Sequence, residues 1–342
     1  MSHSDLRDAI LPVFLPHRGC PGRCIYCDQR VQSGESSSRS PSGMAHELRR
    51  DLEALRDRGR SAALAFYGGS FDGLPDQERS SWLSLAGELA AAGLIPGGLR
   101  VSAHPAGLTE ERVAELVRGG VGVVEVGVQS LDDAVLRRAL RGHDAAEALD
   151  ACRRVMDAGI RCVAQLMVGL PDADAVSDLA TAERVAELRP DGVRIHPTLA
   201  LKGTGLEALV RSGEWRPPEL DEAVARSAGA VEIFERAGVP VFRLGIQEVA
   251  GLREQVVAGA WHPAFGELVR GEVLARRIAR DVASKDGVVH IQMPRSRASL
   301  LLGHGRRGLK RVEELTGCRA EVIVDQAPAR PTHPLVRQDN LT

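Results

Sequence analysis

Short apolar runs alternate with longer amphipathic runs along most of this chain, and that rhythm restricts the fold more than any other feature. Strand-like runs fall at residues 11–15, 62–67, 99–102, 121–128, 160–168, 192–196 and 239–244. Between them lie helix-like runs at 44–58, 76–92, 109–118, 132–140, 145–158, 174–188 and 220–237, with apolar residues recurring every three or four positions. Strands and helices alternating at this spacing mean parallel βαβ units. Roughly six repeats predict an α/β chain built as an open, partial (β/α)6 barrel over residues 1–250. Its active site is then expected where the loops gather, at the C-terminal ends of the strands.

The pattern changes after Trp261. Residues 251–284 are read as a helical connector and 285–326 as a small α/β domain. Residues 327–342 carry Pro328, Pro331 and Pro334 without apolar periodicity, and a disordered tail is expected there. The chain has 342 residues, 44% of them hydrophobic, enough for a large core. A formal net charge of −2 does not mark the whole molecule as a nucleic-acid binder, though a local basic patch is compatible with it. No apolar run approaches the ~18 residues of a membrane span. The first residues lack a secretory pattern, so a cytoplasmic protein with no membrane partner is expected.

Six cysteines, unevenly spaced in such a chain, read as metal ligands or reactive thiols before disulfides. Cys20, Cys24 and Cys27 form a C-x3-C-x2-C set just after the first strand-like run. A [4Fe–4S] cluster ordinarily takes four thiolates. Three leave one iron open to a chelating small molecule, and the amino and carboxylate groups of S-adenosylmethionine (SAM) can fill that position. An electron from an external one-electron donor would then break the sulfonium and release a 5′-deoxyadenosyl radical. A structural zinc site competes, but zinc prefers four ligands in paired C-x2-C form, and the nearest fourth candidate is His17. Cys152, Cys162 and Cys318 are isolated and read as buried, inert thiols.

With the aromatic Tyr26 before its last cysteine, this triplet resembles the signature of the radical SAM superfamily. Tyr67-Gly68-Gly69-Ser70 ends the second strand-like run and is similar to the family's glycine-rich segment, which implies SAM contacts at Gly68, Gly69 and Ser70. Ser70 stands where many members carry Glu or Thr. Ser102, in Ser102-Ala-His104-Pro, falls where the family places a ribose contact. Gln129 and Arg141 resemble the ribose-binding Gln and carboxylate-pairing Arg of the coproporphyrinogen-oxidase-like branch; a bidentate Arg–carboxylate pair suits such a site. Gln165 leads Gln-Leu-Met-Val-Gly-Leu-Pro171, where that branch often carries Asp.

The segment from Pro190 to Leu206 resembles the radical SAM domain of the Elongator catalytic subunit, as do Gly127-Val-Gln129-Ser and Arg141-Gly-His143. That family modifies the wobble uridine of tRNA with acetyl-CoA as carbon donor. The short first cysteine gap differs from it, and the acetyltransferase domain is expected to be absent. Arg194 and Lys202 are the candidate catalytic residues, facing substrate phosphate or carboxylate near strand ends. Residues 289–324 read as strand, helix, turn, helix and strand, which resembles a minimal KH domain, where a G-x-x-G loop clamps nucleotides. Gly303, Gly305, Arg306, Arg307, Gly308 and Lys310 are the candidate RNA contacts, with the loop starting at either Gly303 or Gly305. Residues 285–325 carry 8 Lys/Arg against 5 Asp/Glu. The resemblances imply a radical SAM enzyme acting on RNA, tRNA foremost. A radical SAM enzyme for a small metabolite or tetrapyrrole, and a non-catalytic metal-containing RNA-binding protein, are the alternatives.

Overall fold

The computed structural model describes residues 9–34, 39–247, 249–282, 287–325 and 335–339. Strand β1 (Ala9–Phe14) runs into the cysteine loop and the short helix α1 (Gln29–Ser33). Then follow α2 (Pro41–Asp57), β2 (Ala62–Tyr67), α3 (Asp76–Ala91), β3 (Leu99–Ala103), α4 (Glu110–Arg118) and β4 (Val121–Gln129). Helices α5 (Asp133–Arg138) and α6 (Ala145–Asp157) precede β5 (Arg161–Val168), and α7 (Ala175–Leu188) precedes β6 (Gly192–Pro197). A short β7 (Leu199–Leu201) and α8 (Gly205–Ser212) are inserted before α9 (Leu220–Ala237) and β8 (Val241–Leu244).

The seven-stranded sheet has the order β1-β2-β3-β4-β5-β6-β8, and every neighbouring pair is parallel. This is the open, partial barrel expected from the rhythm of the sequence. Its helix-facing side is apolar. Leu64 and Phe66 of β2 join Leu48, Leu52, Trp82 and Leu89 of the flanking helices in one core. Trp82 and Phe66 are at most 1% exposed, and each such burial contributes roughly 1.5–3 kcal/mol. On β4, Val124, Val126 and Val128 enter that core, while Glu125, Gly127 and Gln129 line the opposite, concave side. Thr109 caps α4 by accepting from the Arg112 N–H, and with Arg112 at that position the capping box stays open, as the sequence predicts.

Beyond the barrel come α10 (Leu252–Gln255), β9 (Val256–Gly259) and α11 (Phe265–Asp281). A small α/β domain follows, built from β10 (Val288–Pro294), α12 (Arg295–Thr316), β11 (Arg319–Asp325) and β12 (Leu335–Asp339), its three strands forming a sheet in the order β11-β10-β12. Helix α11 belongs to both cores: Phe265, Leu268 and Val269 pack on the barrel, Leu274, Ala275 and Ile278 on the small domain. No helix among the described residues is long and apolar enough to cross a membrane.

Two expectations need correction. The 251–284 connector is not purely helical, because β9 pairs antiparallel with β7. Residues 335–339, within the stretch read as a disordered tail, form β12 antiparallel to β10; the rest of residues 327–342 lies outside the described residues. Both strands are four or five residues long. So short a run carries too little periodicity to register, and it is the unpaired edge of a partner strand that selects it.

Candidate active site

Inward-pointing side chains from the strands and from the loops at their C-terminal ends line one large cavity. The cysteine loop closes one side. Cys20, Cys24 and Cys27 all line the cavity, and none is in a disulfide. Burial first, then the neighbouring Cys24 and Cys20 thiols, push Cys27 up to about 12. Burial likewise raises Cys20, against a 3.5 Å contact with the Ser70 hydroxyl. Thiols raised in this way, as Cys20 and Cys27 are, are stabilised as thiolates by a cationic centre beside them. They suit an iron–sulfur cluster, which is wider than a single ion. Among the described residues no three His, Cys, Asp or Glu side chains converge as ligands of one ion.

Arg141 ties this loop to the barrel. One guanidinium nitrogen donates to Cys24 Sγ at 3.0 Å and to the Tyr26 hydroxyl at 3.3 Å, the other to the Gly127 carbonyl at 2.7 Å. Gln129, at the end of β4, is 4% exposed with φ +66°, a left-handed conformation that a non-glycine residue rarely adopts. Its Oε1 is buried without a partner among the described residues. A strained backbone holding an orphaned acceptor in a cavity is a signature of a ligand-binding position.

Gly68 and Gly69 form the tight passage after β2. Gly68 has φ +85°, and a Cβ on Gly69 would lie 2.2 Å from the Arg18 carbonyl oxygen. Glycine here lets the turn lie against the cysteine loop. The Ser102 hydroxyl donates to the Gly69 carbonyl at 2.7 Å, so Ser102 braces that turn from β3.

Behind Gln129 lies a buried imidazole pair. His104 Nδ1 accepts from the Ala106 N–H at 3.3 Å, which leaves its Nε2 protonated to donate to His143 Nδ1 at 3.4 Å. His143 Nε2 then donates to the Val128 carbonyl at 3.3 Å, the last peptide before Gln129. Burial lowers His104 to about 3 and His143 to about 4, so both are neutral near pH 7. Asp72 accepts from the His104 N–H at 3.0 Å, and burial raises its carboxyl to about 7.

The inner wall is ionic. Glu125 Oε1 accepts from Arg100 at 2.9 Å and from the Tyr67 hydroxyl, and forms an ion pair with Arg194 at 2.9 Å, while Arg194 donates to the Tyr67 hydroxyl at 3.3 Å. Arg194 also stacks over the Tyr67 ring, 5.4 Å from its centroid. Arg243 of β8 and His196 of β6 complete this wall.

The structure thus gathers Cys20, Cys24, Cys27, Tyr26, Gly68, Gly69, Ser70, Ser102, Gln129, Arg141, Gln165 and Arg194 around one cavity. Lys202 is not among its lining residues: it is exposed after β7, beside Glu207, because β7 turns away from the barrel to pair with β9. In the small domain, the helical run Arg295–Thr316 breaks at Gly303, His304, Gly305 and Arg306. The turn therefore starts at Gly303. Gly308 is corrected as an RNA contact: it is buried, and a Cβ there would lie 2.3 Å from the Leu300 carbonyl oxygen, so it serves helix–helix packing. Arg307 is drawn into an ion pair with Asp221 at 2.5 Å. Gly305, Arg306 and Lys310 are exposed, and Gly303 is half-buried.

Sequence reasoning did not single out Arg100, Glu125, Arg243 and His196 as site residues. Their signal was a charged or polar residue inside an apolar strand, in phase with its inward positions.

Two family models match: the radical SAM superfamily over residues 14–181 and the radical SAM C-terminal domain over residues 190–274. The chain belongs to the radical SAM superfamily. Within it, the chain is similar to human Elongator complex protein 3, 26% identical over 297 residues, covering 72% of this chain and 54% of the relative. It is also 26% identical over 230 residues to the tRNA uridine(34) acetyltransferase of Dehalococcoides mccartyi, covering 58% of this chain and 50% of that one. The chain spans about half the length of these relatives. The fold matches that of archaeal Methanocaldococcus infernus Elp3 with a TM-score of 0.59 at 21% identity, over 77% of this chain and 62% of that one.

Proposed function

We propose that this chain holds a [4Fe–4S] cluster on Cys20, Cys24 and Cys27, cleaves SAM with it, and uses the resulting radical to modify RNA, tRNA foremost. The observation that carries this reading is Arg141, whose guanidinium spans a cluster-loop thiol, Tyr26 and the β4 carbonyl next to the orphaned Gln129 acceptor. When bound, the cluster supplies the electron that breaks the SAM sulfonium and yields a 5′-deoxyadenosyl radical.

The chain's own residues position and shield. Arg141 orients the loop and offers its charge to a carboxylate at the cluster edge. Gln129 presents an amide to a ribose, held in place by the neutral His143 beneath it. Tyr26, buried and hydrogen-bonded to Arg141, packs with Val135, Leu170 and Leu206 and keeps water from the loop. The RNA part of the reading is supported by the likeness to a tRNA uridine(34) acetyltransferase and by the exposed Arg306 and Lys310 at the small domain's turn.

Anaerobic reconstitution, addition of SAM and a one-electron donor, and chromatography for 5′-deoxyadenosine test it. Product that rises with bulk tRNA and vanishes in Cys24→Ala is expected. Product indifferent to tRNA would move the substrate to a small molecule. No product from a protein with an intact cluster spectrum would overturn the enzyme class.

A further inference from the structure

The inner wall carries more positive charge than its own residues neutralise. Arg100 and Arg194 share a single carboxylate oxygen of Glu125, and Arg243 has no hydrogen-bond or ion-pair partner among the described residues. Among the described residues, three guanidiniums therefore stand against one carboxylate, an excess of two positive charges on a largely buried surface. Buried charge without a counter-ion is costly, and proteins keep it where a ligand supplies the opposite charge.

The excess is also arranged. Gln165 of β5 is the register partner of Arg194 of β6, which is the register partner of Arg243 of β8. The three side chains form one row across adjacent strands, about 4.8 Å apart, all pointing into the cavity. One step nearer the strand ends on the same face sits His196, whose Nε2 is buried without a partner. Burial, then Arg194 and Arg243, lower its imidazole to about 3, so it is neutral and free to donate one N–H. Burial and then the charge of Arg194 lower Arg243 itself, and the opposing pull of Tyr67 and Glu125 does not offset them.

We propose that the row Gln165, Arg194 and Arg243, with His196 above it, is a subsite for a terminal carboxylate or phosphate of a small co-substrate of the radical reaction. Two guanidiniums, one amide N–H₂ and one imidazole N–H converge there, the donor set that a tetrahedral or planar oxyanion accepts. A terminal group on a small molecule reaches this recessed row, whereas a backbone diester has its bulk on both sides. The proposal rests on the radical reading only for the identity of the molecule that carries the anion. Anion binding is read without turnover, so either can fail while the other stands.

The test is calorimetric titration of the full chain with malonate and with inorganic phosphate, against chloride at equal ionic strength. At least one oxyanion is expected to bind, about tenfold or more weaker in Arg243→Gln and in Arg194→Gln. Phosphate alone binding would assign a phosphorylated molecule, malonate alone a carboxylate. Without anion, Arg243→Gln is expected to melt no lower than the parent chain, because it removes an uncompensated charge. Binding by neither anion, or binding equal in parent and Arg243→Gln, would overturn the proposal. So would a lower melting point for Arg243→Gln in anion-free buffer, which would make Arg243 a structural cation.

Discussion

Glu125→Gln is the perturbation that reads the ionic wall most directly. The carboxylate side chain is 3% exposed, and its partners Arg100 and Arg194 are 5% and 15% exposed. Both contacts are 2.9 Å, and the Tyr67 hydroxyl converges on the same oxygen. The amide keeps the size and one acceptor but removes the negative charge that, among the described residues, faces two recessed guanidiniums. Removing one partner of a buried ion pair costs about 3–5 kcal/mol, mainly because the remaining charge is left uncompensated. An internal control has the same separation without the burial: Arg50 and Asp51 also lie 2.9 Å apart, with side chains 66% and 40% exposed. Asp51→Asn is expected to cost under about 1 kcal/mol. Urea unfolding at pH 7 measures both, read as a midpoint shift at unchanged slope. Added salt should erase the small Asp51 effect and leave the Glu125 effect in place, because a dry pair is poorly screened. The double variant Glu125→Gln with Arg100→Met should recover part of the loss. A Glu125→Gln cost no larger than that of Asp51→Asn would refute the reasoning.

Two further outcomes follow from the geometry. Burial raises the Asp72 carboxyl from its ordinary 3.8 to about 7, so the folded state holds its proton more tightly than the unfolded chain does. Stability should fall as pH rises from about 4 to about 7, by up to ~1.4 kcal/mol per pH unit, and level off above. Asp72→Asn should lack that fall, and parallel melting profiles for the two proteins between pH 5 and pH 8 would contradict it. Gly69→Ala places a Cβ 2.2 Å from one backbone carbonyl and 2.6 Å from another, and should cost about 1–3 kcal/mol by thermal melting. Gly22→Ala in the cysteine loop, with nothing within 4 Å, is the control, and equal melting of the two variants would show that the turn yields.

What the sequence determined by itself is local in range. A period near 3.6 or of 2 marks helices and strands residue by residue, and β2 and α9 have the bounds that pattern predicts. The cysteine triplet spans eight residues, and Gly68-Gly69, Gln129 and Arg141 were legible because their order and spacing resemble a known family. What only the tertiary structure decided is who meets whom across long separations. Arg100 and Arg194 lie far from Glu125 in sequence and converge on it only because parallel strands bring their inward faces to one wall. Lys202 has the charge and the sequence position of a site residue, yet the β7–β9 pairing carries it out of the cavity. Gly308 completes an intact G-x-x-G, yet helix–helix contact with Leu300 buries it. Alternation along a strand shows that it has two faces. Which face closes on a cavity is settled only when the neighbouring strands and helices pack, because that choice rests on contacts between residues distant in the chain.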